Sequence, residues 1–189
     1  MRKFRILLLI LASAACTLGA QAAGPEIGTL MERARDLFDY GRWSDARHEF
    51  LRAKAALTPS DRLLAQEVEF YLAACAVELG SADAEGALRE FDERYPGSVY
   101  ANDVRFALGS FYCSAGNMKK AREAFEKTDY RALSAPRREQ YDIRMGYVEF
   151  GDGNYAKAYG YFDRIGSRSE YVDHARYYKA YIDYAEGRY

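Results

Sequence analysis

From about residue 26 onward, apolar positions recur at helical spacing in runs that each close on a glycine, and no stretch alternates with the period of a strand. The closing glycines are Gly41, Gly80, Gly116, Gly153 and Gly187, spaced by 39, 36, 37 and 34 residues. After an apolar helical run, glycine is the cheapest residue for a left-handed C-terminal cap. An aromatic or long apolar residue follows two positions later at Trp43, Met118, Tyr155 and Tyr189. Next come small-then-aromatic pairs at i, i+4: Ala46/Phe50, Ala87/Phe91, Ala121/Phe125 and Ala158/Phe162. In the preceding run of each unit a small residue recurs at Ala34, Ala73, Gly109, Gly146 and Ala180. A small residue lets two helices approach closely, and a phenylalanine one turn on covers the same face. The pattern predicts an all-α fold with helices at about 26–40 paired with 43–57, 60–79 with 83–95, 99–115 with 118–127 and 136–150 with 154–165. A last helix is expected from about 169 to 186.

Helix starts are marked by Thr58 with Pro59 and Asp61, and by Ser98, Ser134 and Ser169. The second unit carries two extra residues between Gly80 and Ala87, which predicts a looser turn there. Pro59 and Pro96 close helices, whereas Pro136 lies well beyond the helix before it.

The run Leu108, Gly109, Tyr112, Gly116, Ala121, Phe125 reads L-G-x-x-Y, glycine, A-x-x-x-F, and it resembles a tetratricopeptide (TPR) repeat. The resemblance covers about residues 26–189. It implies a right-handed solenoid of antiparallel helix pairs with about four and a half repeats, at about 26–59, 60–97, 98–133, 134–167 and a partial 168–189. The segment from Phe91 to Ala101, with Arg94, Tyr95, Pro96, Ser98 and Tyr100, is similar to linkers of bacterial cell-envelope TPR proteins such as outer-membrane assembly lipoproteins and Tol-Pal accessory proteins. In such proteins the first helices of the pairs line a concave groove that holds a peptide or partner protein. Helical phase on those helices nominates Glu67, Tyr71, Asn102, Arg105, Arg144 and Tyr178 as partner-binding residues.

The N-terminus changes where the domain begins. Arg2, Lys3 and Arg5 precede an apolar stretch from Ile6 to Cys16, and Ala20-Gln21-Ala22 is a small-x-small cleavage site. Residues 1–22 read as a secretory signal peptide, whose apolar run is too short to span a bilayer comfortably, with residues 23–189 as the repeat domain. Ser13-Ala14-Ala15-Cys16 also resembles a lipobox, which would make Cys16 a lipid anchor, although Ser13 departs from the usual aliphatic opening. Either reading implies export, to the periplasm or the outer membrane of a Gram-negative bacterium.

Removing Arg2, Lys3 and Arg5 takes the formal net charge from −1 to −4. Charges of both signs are mixed along the helices, and the densest basic cluster, Arg131, Arg137 and Arg138, is diluted by Glu139 and Asp142. This argues against nucleic acid as a partner. Cys75 and Cys113 sit in first helices, where they read either as small buried thiols or as a disulfide formed in an oxidising compartment. No C-x-x-C spacing is present. His48 and His174 stand in charged helical settings without partners at ligand spacing. The Gly151-Asp152-Gly153-Asn154 fragment resembles part of a calcium loop but lacks the remaining ligands and coincides with a repeat turn. No nucleophile elbow, metalloprotease, P-loop or dinucleotide motif occurs. The expectation is a protein without cofactor, metal or catalysis.

Of the 17 tyrosines, 12 lie from Tyr130 onward. Many fit core slots with the hydroxyl at the rim. Neighbours such as Tyr177 and Tyr178 cannot share one helix face, so some are expected to be exposed as contact residues. Such tyrosines also fit a second reading, a glycan-binding or outer-membrane assembly accessory protein. The last helix still shows Ala180, Tyr181, Ile182 and Tyr184. That leads to the expectation of a longer repeat protein or of an open end covered by a partner.

Overall fold

The computed structural model describes residues 25–188, which are all-helical. The proposed signal peptide at 1–22, the Cys16 anchor and Tyr189 lie outside the described residues. The helices are α1 (Pro25–Asp39), α2 (Trp43–Ala56), α3 (Arg62–Glu78), α4 (Ala84–Arg94), α5 (Ala101–Ser114), α6 (Met118–Glu126), α7 (Ala135–Gly151), α8 (Tyr155–Asp163) and α9 (Val172–Ala185). A single turn of 3-10 helix at Tyr130–Ala132 was not predicted. Packing divides the described residues into two compact units, one up to Ala101 and one from Asn102 onward. Among the described residues no helix is long and apolar enough to cross a membrane.

The turns behave as their glycines require. Gly41, Gly80, Gly116, Gly153 and Gly187 all have φ between +62° and +75°. At each, the glycine N–H and the next N–H reach back to carbonyls of the last helical turn. In the first turn, Gly41 donates to Phe38 at 2.9 Å and Arg42 to Leu37 at 2.8 Å. This double bond pattern satisfies the carbonyls that a helix end leaves open. Five residues separate α3 from α4, against three at each of the turns α1–α2, α5–α6 and α7–α8, as the extra residues after Gly80 predict.

Helix starts differ from expectation by up to three residues, for local reasons. The Asp61 carboxylate accepts from both the N–H (2.8 Å) and the hydroxyl (2.6 Å) of Thr58, and α3 begins after Asp61 rather than at Ser60. Ser98 and Ser169 use their hydroxyls to accept the N–H two residues on, which delays α5 and α9 to Ala101 and Val172. Pro136 serves the start of α7, where a missing N–H costs nothing.

In the first unit, α2 packs on α1 and α3, and α4 packs on α3. Its core holds Met31, Ala34, Phe38, Phe50, Val68, Ala73, Leu88 and Phe91, all at most 4% exposed. Ala87 is only half-buried, because in this looser hairpin Ala84 and Leu88 supply the buried face of α4. In the second unit, α7 packs on α6 and α8, and α8 on α9. Two crossings are close. A Cβ added at Gly109 of α5 would fall 2.5 Å from the Phe125 ring, and one at Gly146 of α7 would fall 2.4 Å from the Phe162 ring. Ile143, Ala158, Phe162, Ala175 and Ile182 form the core around the second crossing.

Candidate functional site

Four first helices carry a residue nine positions before their turn glycine that tests the groove expectation: Tyr71, Ala107, Arg144 and Tyr178. The two tyrosines do the same structural work. Tyr71 is 5% exposed and stacks on Phe50 of the preceding helix at 4.8 Å and 9°. Tyr178 stacks on Phe162 of the preceding helix at 5.3 Å and 22°, and its edge meets Tyr147 and Phe150. Both rings are spent on packing, because the buried phenylalanine of the helix before offers each a face.

Two of the polar candidates, Glu67 and Asn102, are held inside the units. Glu67 accepts from Arg35 of α1 through two guanidinium nitrogens at 2.7 and 2.6 Å. Asn102 pairs its amide with the backbone of Asp129, donating at 3.1 Å and accepting at 2.7 Å, and so ties the start of α5 to the segment after α6. Arg105 is partly buried on α5.

Arg144 is different. Its Nη1 donates to the hydroxyl of Ser110, a fully buried residue of α5, and its guanidinium lies 6.0 Å from the Phe106 ring centre. The other groups that bear on its charge are the Cys113 thiol and the phenols of Tyr171 and Tyr147. Burial pushes the Cys113 thiol up to about 11 and both phenols up to about 12, so all three are neutral at pH 7. Burial also lowers the pKa of Arg144 itself. The first-helix face of the second unit therefore brings together Arg144, Ser110, Phe106, Tyr147 and Tyr171 from α5, α7 and the residue preceding α9. Of these only Arg144 was singled out from sequence. Ser110 and Phe106 could have been found only by knowing the register of α5 against α7, which pairs residues 34 apart.

Other polar clusters are internally balanced. Asp142 accepts from the Tyr130 hydroxyl at 2.7 Å and Arg164 at 3.1 Å. Glu149 accepts from Arg122 and from Asn154, the latter at 2.9 Å. Arg164 and Glu149 help line a shallow cleft of about 360 Å³ between α6, α7 and α8. Cys75 and Cys113 are free thiols. His48 and His174 are exposed, and among the described residues no three potential ligands gather as a metal site. Asp152, of the calcium-loop fragment, accepts from Arg122 at 2.6 Å. On α9, Tyr177, Tyr181 and Tyr184 form one stripe with 66%, 47% and 76% exposure.

Compared with protein-family models, with curated proteins and with solved structures, the chain finds no match.

Proposed function

We propose that the chain is a non-catalytic protein–protein interaction scaffold of the tetratricopeptide type, exported to a bacterial cell envelope, which holds a peptide or partner protein on the face of its first helices. The observation that carries this reading is a recurrent joint. A glycine-capped helix turns back, and a buried phenylalanine of the second helix lies over a small residue of the first, directly at Gly109/Phe125 and Gly146/Phe162. Such joints close each pair, while Arg144 of α7 and Tyr177, Tyr181 and Tyr184 of α9 keep surface open to solvent on first helices. The balanced ion pairs support a structural rather than catalytic use of the carboxylates.

The test is capture from Gram-negative envelope extract by the tagged, exported chain, with cross-linkers placed at first-helix or at second-helix positions. Adducts concentrated at first-helix positions are expected, and adducts spread equally over both would overturn the reading. Mass spectrometry of the same exported protein is expected to show a chain beginning at Ala23. A start at a lipidated Cys16 would move the scaffold to a membrane surface.

The tyrosine stripe of α9 favours a second reading, in which exposed rings stack on a glycan. A rise in melting temperature with soluble glycans, lost when Tyr177 and Tyr184 become alanine, would select that reading over the first.

A further inference from the structure

One helix glycine of the second unit is not explained by packing. Gly109 and Gly146 lie under phenylalanine rings, and Gly151 ends α7. Gly160, the sixth of nine residues in α8, keeps an ordinary helical backbone, and a Cβ added to it would meet nothing within 4 Å. At such a position glycine makes a helix less stable than alanine would. What the missing side chain leaves open is the cleft of about 360 Å³ between α6, α7 and α8, which Gly160 lines. Bare backbone beside a cleft suits close approach by a ligand.

The lining has a defined chemistry. Tyr141 and Met145 of α7 are buried, and with Tyr161 of α8 they give the cleft aromatic and apolar surface. The Arg164 guanidinium lies 4.9 Å from the centre of the Tyr161 ring, which steadies that ring. Two charges of the lining are matched within the unit, Glu149 by Arg122 and Arg164 by Asp142. The other two, Glu126 at the end of α6 and Lys157 of α8, are exposed and opposite in sign. An anion entering the cleft would meet Glu126 and a cation would meet Lys157, so a net charge of either sign gains little. A neutral hydroxyl suits both, because it donates to a carboxylate and accepts from an ammonium. The C–H groups of a sugar ring carry slight positive charge, which the negative face of a tyrosine ring attracts. The volume lies at the lower end of small-ligand sites, roughly 300–1,000 Å³.

We propose that this cleft is a saccharide site. It takes a neutral mono- or disaccharide whose ring lies against the Gly160 backbone and Tyr161 while its hydroxyls join Glu126 to Lys157. The proposal rests on the glycan reading above and gives that reading a site separate from the α9 stripe.

The test follows the Met145 methyl and Gly160 amide resonances of the isotopically labelled full chain. The probes are glucose, N-acetylglucosamine, maltose, cellobiose and chitobiose, with sorbitol as an open-chain polyol and glutamine as a zwitterion. Saturable shifts of both resonances are expected with at least one cyclic sugar and with neither sorbitol nor glutamine. Gly160→Ala is expected to weaken that binding about tenfold or more while raising the melting temperature by about 2–4 °C. A glycine with a structural role alone would not tie a gain in stability to a loss of sugar. Glu126→Gln and Lys157→Gln, both at exposed positions, are each expected to weaken binding about threefold to tenfold. Binding that survives all three variants, or an equal shift with sorbitol or glutamine, would overturn the site. Sugar binding lost when Tyr177 and Tyr184 become alanine but kept in Gly160→Ala removes the cleft and leaves the glycan reading on the stripe. Binding lost in Gly160→Ala but kept in the stripe variant supports the cleft and removes the stripe. A glycan that raises the melting temperature without moving either cleft resonance likewise removes the cleft alone, and no effect of any sugar on either measurement removes both.

Discussion

Beneath Phe125 and Phe162 the first helix of the pair carries glycine, and the rings sit where a Cβ would be, at 2.5 and 2.4 Å. The corresponding position on α9 is Ala180, which is exposed, beside the open stripe of Tyr177, Tyr181 and Tyr184. The contrast shows what the small residue is for. Where a second helix brings a phenylalanine down on the first, backbone approach is the whole fit, and even a methyl group is excess volume. Where the face lies open, the same kind of residue is under no such constraint, and the aromatic side chains around it are turned to solvent. Recurrence of a small residue in the sequence therefore carries two meanings that packing alone separates.

Substitutions at these positions break or sharpen the contrast. The largest effect is expected from emptying a closed crossing. Phe125→Ala or Phe162→Ala removes a side chain at most 1% exposed, with an expected cost of about 3–5 kcal/mol in denaturant unfolding. Gly109→Leu overfills the same kind of site and is expected to cost about 1–3 kcal/mol, since the Phe125 ring is itself wedged against Phe106 and Tyr141. Smallest is Ala180→Leu on the open face, expected to change stability by less than about 0.5 kcal/mol. A loss comparable to that of Gly109→Leu would show that Ala180 belongs with the closed crossings.

Helix count, turn glycines and the buried phenylalanines were legible because each follows from local periodicity or from a backbone conformation that favours glycine. Helix starts were legible only to within three residues. Asp61, Ser98 and Ser169 bend the chain into hydrogen-bonded turns first, and their side chains could equally have capped a helix. The groove residues were less readable. Phase put Tyr71, Arg144 and Tyr178 in equivalent places, but Tyr71 and Tyr178 lie on a phenylalanine of the preceding helix and Arg144 lies across from Ser110. Which of these occurs depends on inter-helix register, a property that no single helix encodes. The 3-10 turn at Tyr130–Ala132 was missed because three residues carry no period.

The central claim is that phenylalanine packed on a glycine backbone is the joint of these helix pairs, and Gly146→Ala tests it most directly because the sign is decisive. On an open helix face the change would stabilise by about 1 kcal/mol through helix propensity. Here the added methyl would meet Phe162, which is held by Tyr147 and Tyr178. Chemical denaturation of Gly146→Ala, alone and together with Phe162→Leu, is predicted to show a loss of about 1–3 kcal/mol in the single variant, with much of that cost removed in the Phe162→Leu background. A gain in stability for Gly146→Ala alone, or a loss unchanged by Phe162→Leu, would contradict the account.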